Sequence, residues 1–228
     1  MRWTYPCWRK WDYLKRLRRG FFESFQFCAV YTFGKVSTLN RFMSYPREVW
    51  VAVRERLIDL FRCDNAEIRD NPTLRALALC PLTEVAMHLP CTIGDYTDFY
   101  SSRNHATNVG IMIRGKDNAL QANWMHLPVG YHGRSSTIFP SGTDVQRPCG
   151  QLQKDKADPN LGSVFGPTNL LDFELEMAFL IGGPTTTTSK PLTISEAQNR
   201  IFGYVLMNDW SARDIQRWEY VPLGPFGS

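Results

Sequence analysis

In the stretch LMNDWSARDIQRWEY, residues 206 to 220, a carboxylate, a guanidinium, an amide and a phenol recur at helical spacing. Asp209, Arg213, Gln216 and Tyr220 are four, three and four positions apart, so a helix beginning after Met207 stacks them along one face of about three turns. Such a wall could grip a cation or an anionic oxygen. The plainer reading is a solvated polar stripe, with Trp210, Ile215 and Trp218 off the stripe and facing a core.

A second group of acids lies in LLDFELEMAFLIGG, which reads as a buried strand ended by a turn at Gly182, Gly183 and Pro184. Strand alternation sends Glu174 and Glu176 to one side and Phe173, Leu175 and Met177 to the other. Two like charges on a mostly apolar element repel and resist desolvation, so one is protonated or a cation sits between them. An edge strand with both glutamates in water is an equal alternative. In GDYTDFYSSRNHATNVG, Asp98 and His105 are seven residues apart, which on a helix places them on one face two turns apart, with Asp98 as the N-cap. An aspartate cap and a structural histidine are the plain counterparts of that reading. Together, Asp98, Glu174, Glu176 and Asp209 form the all-oxygen ligand set expected for Ca²⁺ or Mg²⁺, and nitrogen or sulfur ligands at zinc spacing are absent.

The elements that must position these groups follow from periodicity. REVWVAVRERLIDLF is a helix with Val49, Val53, Leu57 and Leu60 on one face, and AEIRDNPTLRALALC adds another short helix. Residues 140 to 167 are polar and turn-rich and read as a strand pair with an exposed loop, while TTTTSK at 185 to 190 is a low-complexity turn. The first residues are basic and aromatic, and Trp11, Leu14, Leu17, Phe21 and Phe25 could share a helical face suited to a membrane surface, a partner groove or a targeting role. That stretch has no uninterrupted apolar core of the signal-peptide kind, and no run approaches the length of a membrane span. A 228-residue chain with 43% hydrophobic residues has enough material for a core, and a net charge of +4, largely N-terminal, gives no general case for nucleic acid. Six cysteines without a CxxC pair point to reduced thiols and a cytoplasmic protein.

The segments DYTDFYSSRNHATNVG, HLPVGYHGR, LLDFELEMAF and LMNDWSARDIQRWEYVPLGPF resemble the eukaryotic fumarylacetoacetate hydrolase (fumarylacetoacetase) family from about Pro81 to Phe226, with weaker similarity back to about Ser37. The resemblance implies an α+β, mostly β chain. It would comprise a divergent segment at 1–36, a helical remnant of the N-terminal domain at 37–89, and at 90–228 an incomplete C-terminal catalytic domain of mixed β-roll fold.

The resemblance also implies roles. Asp98, Glu174, Glu176 and Asp209 match the family's divalent-metal ligands, for Ca²⁺ or Mg²⁺. His105 matches the general base that activates water, and Arg213 a cation beside the reacting carbonyl. Tyr100, Arg114, Tyr131, Gln216 and Tyr220 match positions that hold a diketo acid. The implied activity is hydrolysis of a carbon–carbon bond in 4-fumarylacetoacetate, yielding fumarate and acetoacetate at the end of tyrosine and phenylalanine breakdown, in a homodimer without nucleic-acid or membrane partners. Family members continue past LGPF with an oxyanion-hole lysine, further magnesium-associated residues and a glutamate that orients the histidine. The expectation is therefore also of a base without its orienter, open strand edges, uncovered apolar faces, and, as the alternative function, an inactive fragment or variant subunit.

Overall fold

The computed structural model of the chain describes residues 37–184, 191–222 and 224–228. The N-terminal helical face expected around Trp11 to Phe25 and the TTTTSK turn lie outside the described residues. In chain order the elements used below are α1 (Asn40–Met43), α2 (Arg47–Leu60), α3 (Ala66–Arg69), α4 (Pro72–Ala78), β1 (Thr97–Phe99), α5 (Arg103–Arg114), β2 (Gly130–His132), β3 (Cys149–Gln153), β4 (Ser163–Pro167), β5 (Leu171–Asp172), β6 (Leu175–Ile181), α6 (Ile194–Gln198), β7 (Ile201–Asn208), β8 (Ser211–Ala212) and α7 (Arg213–Glu219). Helix and strand are mixed, and the described strands pair only two by two, β1 with β2, β3 with β4, β5 with β8 and β6 with β7, so the sheets are open. Among the described residues no helix is long and apolar enough to cross a membrane.

The chain divides into two compact units. One runs to Thr92 and takes in Phe139–Gly142 and Met177–Val205; the other comprises Ile93–Ile138, Thr143–Glu176 and Leu206–Ser228.

In the first unit, α2 forms where periodicity places it, but its centre is Trp50 rather than the valine row. Trp50 and Leu60 are its buried residues, and the indole Nε1 donates to the Phe42 carbonyl at 2.9 Å. The Phe202 ring meets Trp50 edge-on at 5.1 Å and Phe42 at 5.8 Å, the offset geometry that ring quadrupoles favour. The single helix expected in AEIRDNPTLRALALC is two, because Pro72 cannot extend a helix already running. Asn71 caps the new one, its side chain accepting from the Leu74 N–H at 3.0 Å, as Asn65 does for Glu67 at 2.9 Å before α3.

In the second unit, β1 and β2 are antiparallel with Asp98 directly opposite Tyr131, and β3 and β4 form the strand pair that the polar stretch predicts. Helix α7 lies on β3, a close approach made possible by Gly150, where a Cβ would fall 2.8 Å from Ile215 Cδ1. Ile215 is 3% exposed, and Trp218 Nε1 donates to Gln151 Oε1 at 3.1 Å. Trp210 does not join this core; it is 43% exposed. The start of α7 is pinned from behind. The Asp214 carboxylate accepts from the buried Thr168 hydroxyl and, at 2.7 Å, from the Asn169 N–H, and the Arg213 N–H donates to the Leu170 carbonyl at 2.9 Å.

Strand β6 departs from the expectation of a buried strand. Its glutamate side is half-buried, whereas Leu175, Met177, Phe179 and Ile181 on the other side are 79%, 65%, 47% and 60% exposed. That outcome fits the companion expectation of uncovered apolar faces.

Candidate functional site

Strands β1, β2 and β6, the link between β5 and β6, and both ends of α5 and α7 deliver polar residues of the second unit to one cavity of about 560 Å³. Its walls include Asp98, Tyr100, His105, Arg114, Tyr131, Glu174, Glu176, Arg213, Gln216 and Tyr220, all in that unit, together with apolar side chains such as Val109, Ile113 and Trp124. Asp209 is not among the lining residues but brings a carboxylate oxygen within 4.8 Å of those of Asp98 and Glu176, which are.

The local routes differ from those the spacing suggests. Asp98 lies in β1 and caps no helix; α5 starts five residues later, at Arg103, capped by the Ser102 side chain, which accepts from the His105 N–H at 3.4 Å. The run YTDFY alternates as a strand does, so Tyr96, Asp98 and Tyr100 follow the two-residue period. Asp209 likewise precedes its helix. Strand β7 continues to Asn208, and Ser211 and Ala212 pair with β5, so the helix begins only at Arg213 and carries Arg213 and Gln216, with Tyr220 at its C-terminal end. The expected four-residue stripe is thus two residues on α7, a tyrosine at its C-cap and an aspartate held by a separate contact, its N–H donating to the Glu174 carbonyl at 2.9 Å.

The acids fall into two groups of opposite electrostatic character. In the first, one oxygen from each of Asp98, Glu176 and Asp209 lies within 4.8 Å of the others. Burial, followed by repulsion from Asp98, Asp209 and Glu174, pushes the Glu176 carboxyl up to about 8. Burial and then Asp98 and Glu174 push Asp209 up to about 7 against the opposing pull of Arg213. Phenols surround this group: Tyr131 donates to Asp98 Oδ2 at 2.9 Å and Tyr96 donates to the same oxygen at 3.2 Å. Both phenols are held well above the usual tyrosine range, by burial first and then by Asp98 and Asp209.

In the second group Glu174 is compensated. Its Oε1 lies 2.6 Å from Arg213 Nη2 and 3.3 Å from His105 Nε2, with the Glu174 and Arg213 side chains only 10% and 13% exposed. Arg213 also reaches Asp172 Oδ2 at 3.0 Å and donates to Gln216 Oε1 at 3.1 Å. Burial works against its charge, but Glu174 and Asp172 prevail and raise its pKa. Glu174 thus stands outside the trio whose ligand atoms come together. His105 thus has a carboxylate neighbour in this chain, Glu174.

Two of the cavity's binding candidates are fixed by backbone. Arg114 donates from Nε to the Asn118 carbonyl at 3.1 Å and from Nη2 to the Ala119 carbonyl at 2.7 Å. Tyr100 is held through its N–H to Val129 O at 2.8 Å and its hydroxyl to Ala106 O at 3.1 Å, and Trp124 Nε1 donates to its carbonyl at 2.8 Å. Burial raises the Tyr100 phenol, opposed by Arg114, and its ring stands edge-on to His105 at 5.5 Å. Sequence reading did not single out Tyr96, Asp172, Thr168 or Trp124. The alternation in YTDFY is the signal that could have found Tyr96; the others depend on contacts across 24 to 46 residues of chain.

A family model described as "Fumarylacetoacetate (FAA) hydrolase C-terminal" matches residues 95–228, a stretch that holds every residue of the cavity. The chain belongs to the fumarylacetoacetate hydrolase family. A second model, "Fumarylacetoacetase N-terminal", matches residues 14–90, so similarity to the fumarylacetoacetate hydrolases begins inside the basic, aromatic segment and not near Ser37. Among similar proteins, fumarylacetoacetase of Caenorhabditis elegans is 59% identical over 193 residues, which is 84% of this chain and 45% of that protein. Fumarylacetoacetase of Mus musculus is 57% identical over 190 residues (83% and 44%), and that of Dictyostelium discoideum 56% over 188 residues (82% and 44%). The chain therefore spans less than half the length of these relatives.

Proposed function

We propose that this chain carries the metal and substrate site of a fumarylacetoacetase, within the mixed β-roll fold of that family, hydrolysing 4-fumarylacetoacetate to fumarate and acetoacetate at the end of tyrosine and phenylalanine catabolism. The observation that carries the reading is the juxtaposition of an uncompensated carboxylate trio with a compensated His105, Glu174 and Arg213 group at one cavity.

The trio fits a hard divalent cation, Ca²⁺ or Mg²⁺. Its donors are all oxygen, and in the cation's absence two of them are pushed toward protonation, the condition that a positive charge between them relieves. Asp98, Glu176 and Asp209 would hold the ion, and Glu174 stands close enough to complete the set by moving from Arg213. Bound there, the ion would supply Lewis acidity toward the diketone oxygens.

The residues of the chain account for the remaining needs. His105, whose Nε2 faces Glu174, would accept a proton from water at Nδ1 while the carboxylate orients the ring and steadies the imidazolium. The water oxygen bonds to the carbonyl carbon, and Arg213 faces the oxyanion that forms. The carbon–carbon bond then breaks, its electron pair leaving as the enolate of acetoacetate, which takes up a proton. Arg114 is suited to a terminal carboxylate because two backbone carbonyls already fix its guanidinium. Tyr100, Tyr131, Gln216 and Tyr220 supply hydroxyl and amide groups for the diketone oxygens. The reading extends to a cytoplasmic homodimer.

One observation favours a second reading, binding without turnover. Arg213 is committed to Glu174 and Asp172 and is the guanidinium that would have to release them to receive an oxyanion. Loss of the substrate's near-ultraviolet diketone absorbance on adding the purified chain with calcium tests the first reading. Calorimetric binding of the diketo acid without that loss would establish the second.

A further inference from the structure

We infer that Tyr96 is a positioning residue for Asp98: with Tyr131 it holds Asp98 Oδ2 in a pair of phenol hydrogen bonds, so that Oδ1 is the oxygen presented to a divalent cation shared with Glu176 and Asp209. This rests on the metal reading proposed above.

The two phenols reach Asp98 by different routes. Tyr131 is its cross-strand partner in the β1 and β2 register, and its hydroxyl is 2.9 Å from Oδ2. Tyr96 precedes Asp98 by two residues, the spacing that puts side chains on one side of an extended chain, and its hydroxyl is 3.2 Å from the same oxygen. Tyr131 lines the cavity, whereas Tyr96 is not among its lining residues. Tyr96 therefore acts through Asp98 and not on a bound diketo acid.

The place of Tyr96 is shaped for it. A Cβ at position 133 would fall 2.1 Å from Tyr96 Cδ1 and 2.3 Å from Cε1, so Gly133 supplies the hollow in which the ring lies. The Gly133 N–H donates to the Tyr96 carbonyl at 3.0 Å and fixes the backbone beside it. Chemistry favours a phenol here. A lysine or arginine aimed at Oδ2 would orient the carboxylate equally well but would repel the incoming cation. A neutral hydroxyl orients without that penalty, and outer hydrogen bonds of this kind typically sustain metal affinity by about 10- to 100-fold.

The test is calorimetric titration of calcium into the full chain. Tyr96→Phe removes one oxygen and keeps the ring; calcium should bind about tenfold more weakly while the metal-free thermal midpoint stays where it was. Gly133→Ala keeps the hydroxyl but displaces the ring and should weaken calcium similarly, far-ultraviolet circular dichroism reporting that each variant remains folded. Unchanged affinity in Tyr96→Phe would overturn the inference while leaving the metal site intact. A Tyr96→Phe chain that no longer folds would also overturn it, by making the phenol a fold-holding group. If the unaltered chain takes up no calcium, the metal reading fails and this inference with it.

Discussion

Glu174 and Glu176 are two residues apart on the same side of one chain segment, yet their surroundings are opposite. Glu174 meets a guanidinium at 2.6 Å and an imidazole at 3.3 Å, while Glu176 meets Asp98, Asp209 and Glu174 itself and is pushed up to about 8, by burial first. The difference shows that a paired-glutamate motif is not one feature. Whether each carboxylate is a counter-ion or a candidate ligand depends on what the second-nearest segment brings: α7 brings a cation to one, and the end of β7 brings another acid to the other.

The largest effect should come from the uncompensated side. Asp209→Asn removes one of three converging ligands, and since loss of an outer hydrogen bond alone costs 10- to 100-fold, calcium affinity should fall about 100-fold or more in a calorimetric titration. The same substitution should raise the metal-free thermal midpoint, because it removes a repelling charge. A fall in both would mean that Asp209 is a structural hydrogen-bond acceptor. On the compensated side, Arg213→Met leaves a nearly buried Glu174 without its cation. Such a loss should cost about 3 kcal/mol in denaturant unfolding, and Glu174→Gln in the same chain should recover part of it.

Acidity distinguishes the two sides further. Glu176 and Asp209 have folded-state pKa values above those of the unfolded chain, so each adds stability that is fully present below about 4 and is lost as the pH rises through about 7 to 8. Without metal, the thermal midpoint should therefore decline between pH 5 and 8 on account of this trio, and calcium should reverse the decline at the alkaline end. A metal-free midpoint flat across that window would remove the repulsion argument. The smallest effect is a control in the other unit: Asn71→Ala deletes the cap of α4 and should cost about 1 kcal/mol with calcium affinity unchanged.

The residue types of the site could be read from the chain, but their geometry could not. Chemistry or family resemblance singles out the four acids, His105 and Arg213, and the structure brings them to one place. The helical stripe expected from Asp209 to Tyr220 differs from the structure at its start. Ile201–Asn208 is rich in β-branched and aromatic residues, and pairing of Ser211 and Ala212 with β5 overrides helical spacing until Arg213. Spacing alone does not place Asp98 in its strand, because a seven-residue interval to His105 fits two helical turns as well as it fits a strand, a short link and a capped first turn. Ser102, which does cap α5, carried the better local signal. The role of Tyr96 is not legible in the sequence because it arises only when Asp98 and Tyr131, thirty-three residues apart, become partners across two strands. The division of labour between the glutamates depends on α7 being hung on Thr168 by Asp214, a link across 46 residues that no periodicity announces.

The alternation along β6 has a practical corollary. Even-numbered positions at its start carry the acids of the cavity, while Leu175, Met177, Phe179 and Ile181 turn an oily ribbon to solvent. Parity therefore separates two properties that usually travel together in a protein: threonine or lysine at the odd positions could temper self-adhesion during expression, with no atom of the ion-binding face replaced.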